Sequence, residues 1–152
     1  MTPLKGYHGR ALACLAASAL LAAAGCSRAP RPADPVGATL RSEVERWRAA
    51  PDAPPVDCSG FVAAVYRRTF GLDLPRSSGE MLRFGRPVER DQLRPGDLVF
   101  FRPPHAKRHV GFYVGEGEFG HVSSSSGVRL SHLSEAYWRR AYWTARRVLG
   151  DD

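Results

Sequence analysis

The sequence predicts an α+β domain in which N-terminal helices pack on an antiparallel β-sheet. Three observations predict it. Apolar residues recur at helical spacing as far as Phe84. A turn signal, Arg94-Pro95-Gly96-Asp97, comes next. Beyond it the apolar residues run continuously or alternate, as they do in strands. Helices first and a meander of strands after them, with no internal repeat, make one α+β domain. The chain of 152 residues is long enough to bury a core.

Residues 1–25 read as an export signal. Lys5, His8 and Arg10 are basic, residues 11–24 are apolar and rich in alanine, and Ala23-Ala24-Gly25 supplies small residues for cleavage. The apolar run is shorter than the roughly 20 residues of a membrane span. Ala23-Ala24-Gly25-Cys26 resembles a bacterial lipobox, in which the cysteine becomes a lipid-modified N-terminus. Several acyl chains on Cys26 would anchor the protein firmly. By resemblance to the sorting rules of diderm bacteria, Ser27, a residue other than aspartate after that cysteine, implies the outer membrane, with the domain facing the periplasm. Ordinary cleavage nearby, giving a soluble periplasmic protein, is the alternative.

Residues 26–38 hold several prolines and few apolar groups and read as a tether. The domain then occupies residues 39–150. Leu40, Val44 and Trp47 lie at helical spacing within 39–49, and the prolines of 51–55 end that helix. Asp57 is a good N-cap for the next one. Cys58, Phe61, Val62, Val65 and Tyr66 share one face of it, Arg67 and Arg68 suit its C-terminal end, and Gly71 stops it. Residues 77–84 suggest a shorter helix capped by Ser77 or Ser78.

The continuous run 98–101 suits a buried strand. Residues 109–114 alternate, with Val110, Phe112 and Val114 on one side and His109, Gly111 and Tyr113 on the other. Gly115-Glu116-Gly117 turns the chain into a strand at 119–123, where His121 and Ser123 share a face. A strand at 127–130, a helical turn within 133–138 and a last strand at 143–149 complete the domain.

Cys14 leaves with the signal, and a lipidated Cys26 has no free thiol. Cys58 is then alone, so the mature chain has no internal disulfide. An unpaired cysteine in an exported chain suggests a reactive thiol. In the first turn of a helix, backbone N–H groups lack intrahelical partners and the helix dipole is positive, which favours the thiolate. If the strands at 109–114 and 119–123 pair as a hairpin, His109 and His121 lie side by side. Packing the Cys58 helix across that face would bring the thiol to His109. Cysteine-protease chemistry needs this set: a thiolate, an imidazole that takes and returns its proton, and a third group that orients the imidazole.

Each residue also has a plainer explanation. A free cysteine is commonly a small buried apolar residue, and a strand histidine is commonly a satisfied core or rim residue. A zinc site of Cys58, His105, His109 and His121 is disfavoured, because the spacing lacks a C-x-x-C and a loop separates His105 from the strand. The net charge is +7, carried mostly by arginine, with Lys5 and Arg10 in the signal. In an exported chain the fitting anionic partners are wall carboxylates and lipid head groups, not nucleic acid, and a plain solvated surface in an arginine-rich proteome explains the charge equally well.

Five motifs in order carry a family resemblance. They are D-C-S-G-F-V at 57–62, L-P-R-S-S at 74–78, L-R-P-G-D-L-V-F-F at 93–101, H-V-G-F-Y-V-G at 109–115 and F-G-H-V-S at 119–123. Over roughly residues 40–149 the chain resembles the NlpC-type family of bacterial cell-wall cysteine endopeptidases. The resemblance implies a compact papain-like fold, with Cys58 as nucleophile, His109 as general base and then acid, and His121 as the orienting group. It implies hydrolysis of amide bonds in peptidoglycan stem peptides or their cross-links, by a monomer, with no metal or organic cofactor.

Family members usually carry a Tyr-x-x-Gly-Gly-type segment before the nucleophile, where this chain has residues 47–56 without tyrosine or glycine. Trp47 is the candidate to stand in for that tyrosine in substrate binding, beside Asp57 and Ser59. This departure leaves two other functions open: a murein-binding lipoprotein of the same fold with little or no turnover, or a thiol amidase or acyltransferase acting on another envelope substrate.

Overall fold

The computed structural model describes residues 34–50, 57–104 and 107–150. The export signal, Cys26, His105 and the proline-rich run 51–55 lie outside them.

The first helix, α1, spans Pro35–Arg48. It begins inside the stretch read as tether. Asp34 caps it by accepting from the Val36 and Gly37 N–H groups, and Pro35 at the first helical position costs no hydrogen bond. Apolar periodicity alone misses this turn, because it carries no large side chain. The second helix, α2, spans Cys58–Phe70, with Asp57 as its N-cap and Gly71 as its C-cap. Gly71 takes φ 65°, a left-handed conformation that closes the helix and favours glycine. The third, α3, is only Ser78–Met81, capped by Ser77; the helix expected to reach residue 84 ends sooner, in turns.

Strand β1 (Arg86–Val88) follows, then a 3-10 turn at Arg90–Gln92. Neither is expected from the sequence: β1 has three residues, and Pro87 is tolerated because the strand lies at the sheet edge. The remaining elements are β2 (Asp97–Phe101), β3 (His109–Gly115), β4 (Glu118–Ser123), β5 (Gly127–His132), α4 (Ala136–Ala141) and β6 (Tyr142–Arg147). Six strands among the described residues form one antiparallel sheet in the order β1-β6-β2-β3-β4-β5.

Every residue of β2 is buried, as its continuous apolar run requires of a strand covered on both faces. Leu98 and Phe100 face α1 and α2, together with Val110, Phe112 and Val114. Val99 and Phe101 face the other side, with Phe119, Leu133, Ala141 and Ala145. At the far end of β2, Asp97 and Arg147 form a buried bidentate pair, Nε to Oδ1 at 2.8 Å and the second guanidinium nitrogen to Oδ2 at 2.7 Å. The pair ties β2 to β6. The segment between β1 and β2 is held to it as well, since Asp97 accepts from the Arg94 N–H and Arg147 donates to the Gln92 carbonyl.

The helices cover the Val110/Phe112/Val114 face: the Phe61 ring of α2 lies 5.5 Å from that of Phe112. This corrects the expected packing. The face that carries His109 and His121 is the opposite one, and α2 does not lie across it. The long apolar row of β3 outcompetes a face that contains Gly111 and two imidazoles.

Candidate active site

Cys58, His109 and His121 nevertheless line one cleft of about 980 Å³. Each arrives from a different element. Cys58 is the first residue of α2, half-buried, and the helix presents it at its open end. His109 is the first residue of β3, where the strand emerges from the loop. His121 is buried in β4 at 1% exposure. The thiol therefore shares the cleft with the imidazoles from the end of α2, at the strand start that carries His109. Among the described residues no hydrogen bond joins Cys58 to either ring. Catalytic contacts are commonly long in an unliganded site and tighten on substrate.

The two imidazoles are joined directly, His109 Nε2 to His121 Nδ1 at 3.1 Å. The other nitrogen of His121, Nε2, lies 3.1 Å from Ser131 Oγ. Trp138 stacks on His109 with centroids 5.3 Å apart and meets His121 edge-on at 4.8 Å. Phe119 stacks on His121 at 4.9 Å. These rings and the sheet bury His121 and leave His109 half-buried. Burial lowers His109 from the usual histidine range to about 4. Burial lowers His121 further, to about 3, and the neighbouring His109 adds to the effect. Both rings are thus neutral near pH 7, and a neutral imidazole can accept a proton.

Gly111 makes room for this arrangement. A Cβ there would sit 2.6 Å from the Gly120 carbonyl oxygen, 2.9 Å from the Phe119 ring and 3.3 Å from His121 Cβ. Only hydrogen fits where β4 carries an aromatic ring and an imidazole against β3.

On the other wall stand Asp57, Cys58 and Ser59. Asp57 Oδ1 accepts from the Gly60 N–H at 2.6 Å, from Ser59 Oγ at 3.0 Å and from Arg76 at 2.9 Å. The Arg76 guanidinium, then the Gly60 N–H, holds the Asp57 carboxyl down to about 2. Lys107 and Arg108 add positive charge to the cleft lining, and Tyr137 stands half-exposed at its mouth. Among the described residues no group of three or more His, Cys, Asp or Glu is placed to hold a metal ion.

The arrangement matches a known family. Residues 45–147 match the NlpC/P60 family. This chain belongs to that family. It is similar to the murein DD-endopeptidase MepS/murein LD-carboxypeptidase of Escherichia coli (strain K12), 52% identical over 94 residues, which are 62% of this chain and 50% of that protein. The chain thus spans about half the length of that relative. It is also similar to the probable endopeptidase NlpC of the same strain, 37% identical over 151 residues that cover 89% of this chain and 98% of that protein.

Among solved structures, a NlpC/P60 family protein from Bacillus cereus ATCC 10987 is 34% identical, with a TM-score of 0.56 over 62% of this chain and 32% of that chain. RipD from Mycobacterium tuberculosis, described as a non-catalytic NlpC/p60 domain protein adapted to peptidoglycan binding, is 25% identical, with a TM-score of 0.59 over 76% of this chain and 99% of that chain. The NlpC/P60 fold is the α+β fold expected from the sequence.

Of the expected site residues, Cys58, His109, His121, Asp57 and Ser59 line the cleft. Trp47 does not. Its ring packs edge-on against Phe61 at 5.4 Å, at the border of the helix-side core. Helical spacing puts it on the same stripe as Leu40 and Val44, and that stripe faces the sheet. Ser131 was missed because the strand was expected to end at Leu130, although alternation along β5 would have carried it onto the His121 face. Trp138 falls at the end of the helical turn expected within 133–138, but nothing local marks it as the ring that packs on two imidazoles.

Proposed function

We propose that this NlpC/P60 protein is a peptidoglycan endopeptidase that hydrolyses amide bonds of murein stem peptides or cross-links through a Cys58 acyl-enzyme. The observation that carries the proposal is the shared cleft of Cys58, His109 and His121, with the two imidazoles hydrogen-bonded. The murein hydrolase names of its relatives support the substrate class.

In this mechanism His109 takes the thiol proton and the sulfur attacks the scissile carbonyl. The developing oxyanion falls to backbone N–H groups at the start of α2, Cys58 included, which have no partner within the helix. His109 then protonates the leaving amine, and the acyl-enzyme forms. A water that loses its proton to His109 attacks the thioester, and the thiol is restored. His121 holds the ring of His109 through Nε2. Lys107 and Arg108 suit the carboxylates of stem peptides, with Asp57 engaged by Arg76. A lipid on Cys26, outside the described residues, would hold the domain at the outer membrane facing the periplasmic wall.

The test is a digest of purified murein with wild type and Cys58→Ala, read by mass spectrometry of the muropeptides. Wild type is expected to release new muropeptides and the variant to be slower by about a thousandfold or more. Identical profiles would end the enzyme reading and leave murein binding, the function to which RipD is adapted.

A further inference from the structure

The ring of His121 is held at both nitrogens, by His109 on one side and Ser131 on the other. Ser131 is 5% exposed and lies on β5. It pairs with Phe119, whereas His121 pairs with Arg129, so Ser131 is the diagonal neighbour of His121 on one face of the sheet. Phe101, Phe119 and Leu133 pack on that face, and Arg129 stands opposite His121 at its exposed edge. His109, His121 and Ser131 form a line that leads from the cleft into this apolar layer.

The line has a direction. A neutral imidazole has one N–H and one bare nitrogen. His109 Nε2 is engaged by His121, so Nδ1 is the ring atom left for the thiol. For Nδ1 to accept a proton, the hydrogen of His109 must be on Nε2, donated to a bare Nδ1 of His121. The hydrogen of His121 is then on Nε2 and needs an acceptor. Once His109 has taken the thiol proton and become imidazolium, the same polarity is compulsory, because both its nitrogens then carry hydrogen. The reverse polarity presents an N–H to the thiol and cannot accept from it. Ser131 Oγ is the atom placed to receive the His121 Nε2 hydrogen.

We propose, on the thiol-hydrolase reading above, that Ser131 is a positioning residue: by accepting from His121 Nε2 it fixes the tautomers of both imidazoles so that His109 Nδ1 is open to Cys58. The hydroxyl at 131 acts at a distance from the substrate, through two rings. Burial of both rings in their neutral form fits this role, since neither competes for the hydrogen as a free imidazolium would.

The test uses three readouts on the same preparations. 15N NMR of histidine-labelled wild-type protein at neutral pH is expected to show the His121 hydrogen on Nε2. Ser131→Ala, folded by its thermal melt, is expected to shift His121 toward the other tautomer. It should also lower kcat on murein about tenfold with KM little changed, comparable to losing a partner behind a functional imidazole. Alkylation of Cys58 by iodoacetamide, followed on its peptide by mass, should slow in parallel. Ser131→Thr, which keeps the hydroxyl, should restore all three.

A wild-type His121 with its hydrogen on Nδ1 would overturn the proposal. So would a folded Ser131→Ala with unchanged tautomer and alkylation rate. If Ser131→Ala does not fold, the wild-type tautomer and Ser131→Thr decide. If wild type does not cleave murein, the enzyme reading fails by itself, and the tautomer and alkylation still test Ser131.

Discussion

A histidine held neutral by burial makes a protein sensitive to acid, and this cleft contains two, His121 buried and His109 half-buried. In the unfolded chain each titrates near the usual 6.5, whereas in the fold His109 is lowered to about 4 and His121 to about 3. As pH falls below 6.5 the unfolded chain binds protons that the native state refuses. The contribution of these rings to stability is therefore complete above about pH 6.5 and is lost progressively as pH falls toward 4 and 3, by at most about 1.4 kcal/mol per ring per pH unit. Urea midpoints measured from pH 7 to pH 5 should fall for wild type and fall less steeply for His121→Gln; equal slopes would show that the rings do not carry the effect. At this scale the thiol and the first imidazole were legible from a helix start and a strand start. Ser131 and Trp138 were not, because their importance comes from what lies across the sheet. Trp47 was misplaced for the opposite reason: a good helical stripe says core before it says cleft.

Elements were easier to recognise than the side they present. The sequence marks α2 through its cap, apolar face and terminal glycine, and marks β3 by alternation, but two faces of β3 were open to the helix. The apolar row won, and the site was left on the other face, reached only at the strand end. What keeps β3 and β4 close enough there is the absence of a side chain at residue 111. Gly111→Ala should force the Phe119 ring and the Gly120 carbonyl apart from β3, at about 1–3 kcal/mol of stability, the usual range for overpacking. Murein cleavage should fall by more than the loss of folded protein, since His121 moves with its strand. Thermal melts paired with muropeptide rates on the same sample separate the two effects; an unshifted melt would show that the strands have slack at this point. The short β1 escaped notice because three residues with a central proline carry no periodicity.

Across the whole molecule, the sheet separates two apolar layers, and β2 belongs to both. Its register against β6 is held at one end by Asp97 and Arg147, 1% and 8% exposed. A turn signal predicts Asp97 to be an ordinary turn residue, and its partner fifty positions later cannot be inferred from local pattern. Arg147→Met should leave the Asp97 carboxylate buried beside apolar atoms and cost about 3–5 kcal/mol, measured by urea unfolding. Replacing both residues by apolar ones should recover most of that, because the penalty belongs to the orphaned charge and not to the missing attraction. A single variant as stable as wild type would mean that water reaches the carboxylate.

Asp57 joins two tasks that most proteins assign to separate residues. Its oxygens terminate the backbone of α2, and its carboxylate also lines the wall of the cleft beside Cys58. A replacement that cannot cap, such as alanine, therefore alters the cleft wall and also loosens the first turn of α2, which carries Cys58, whereas asparagine or serine keeps the cap and alters the wall alone.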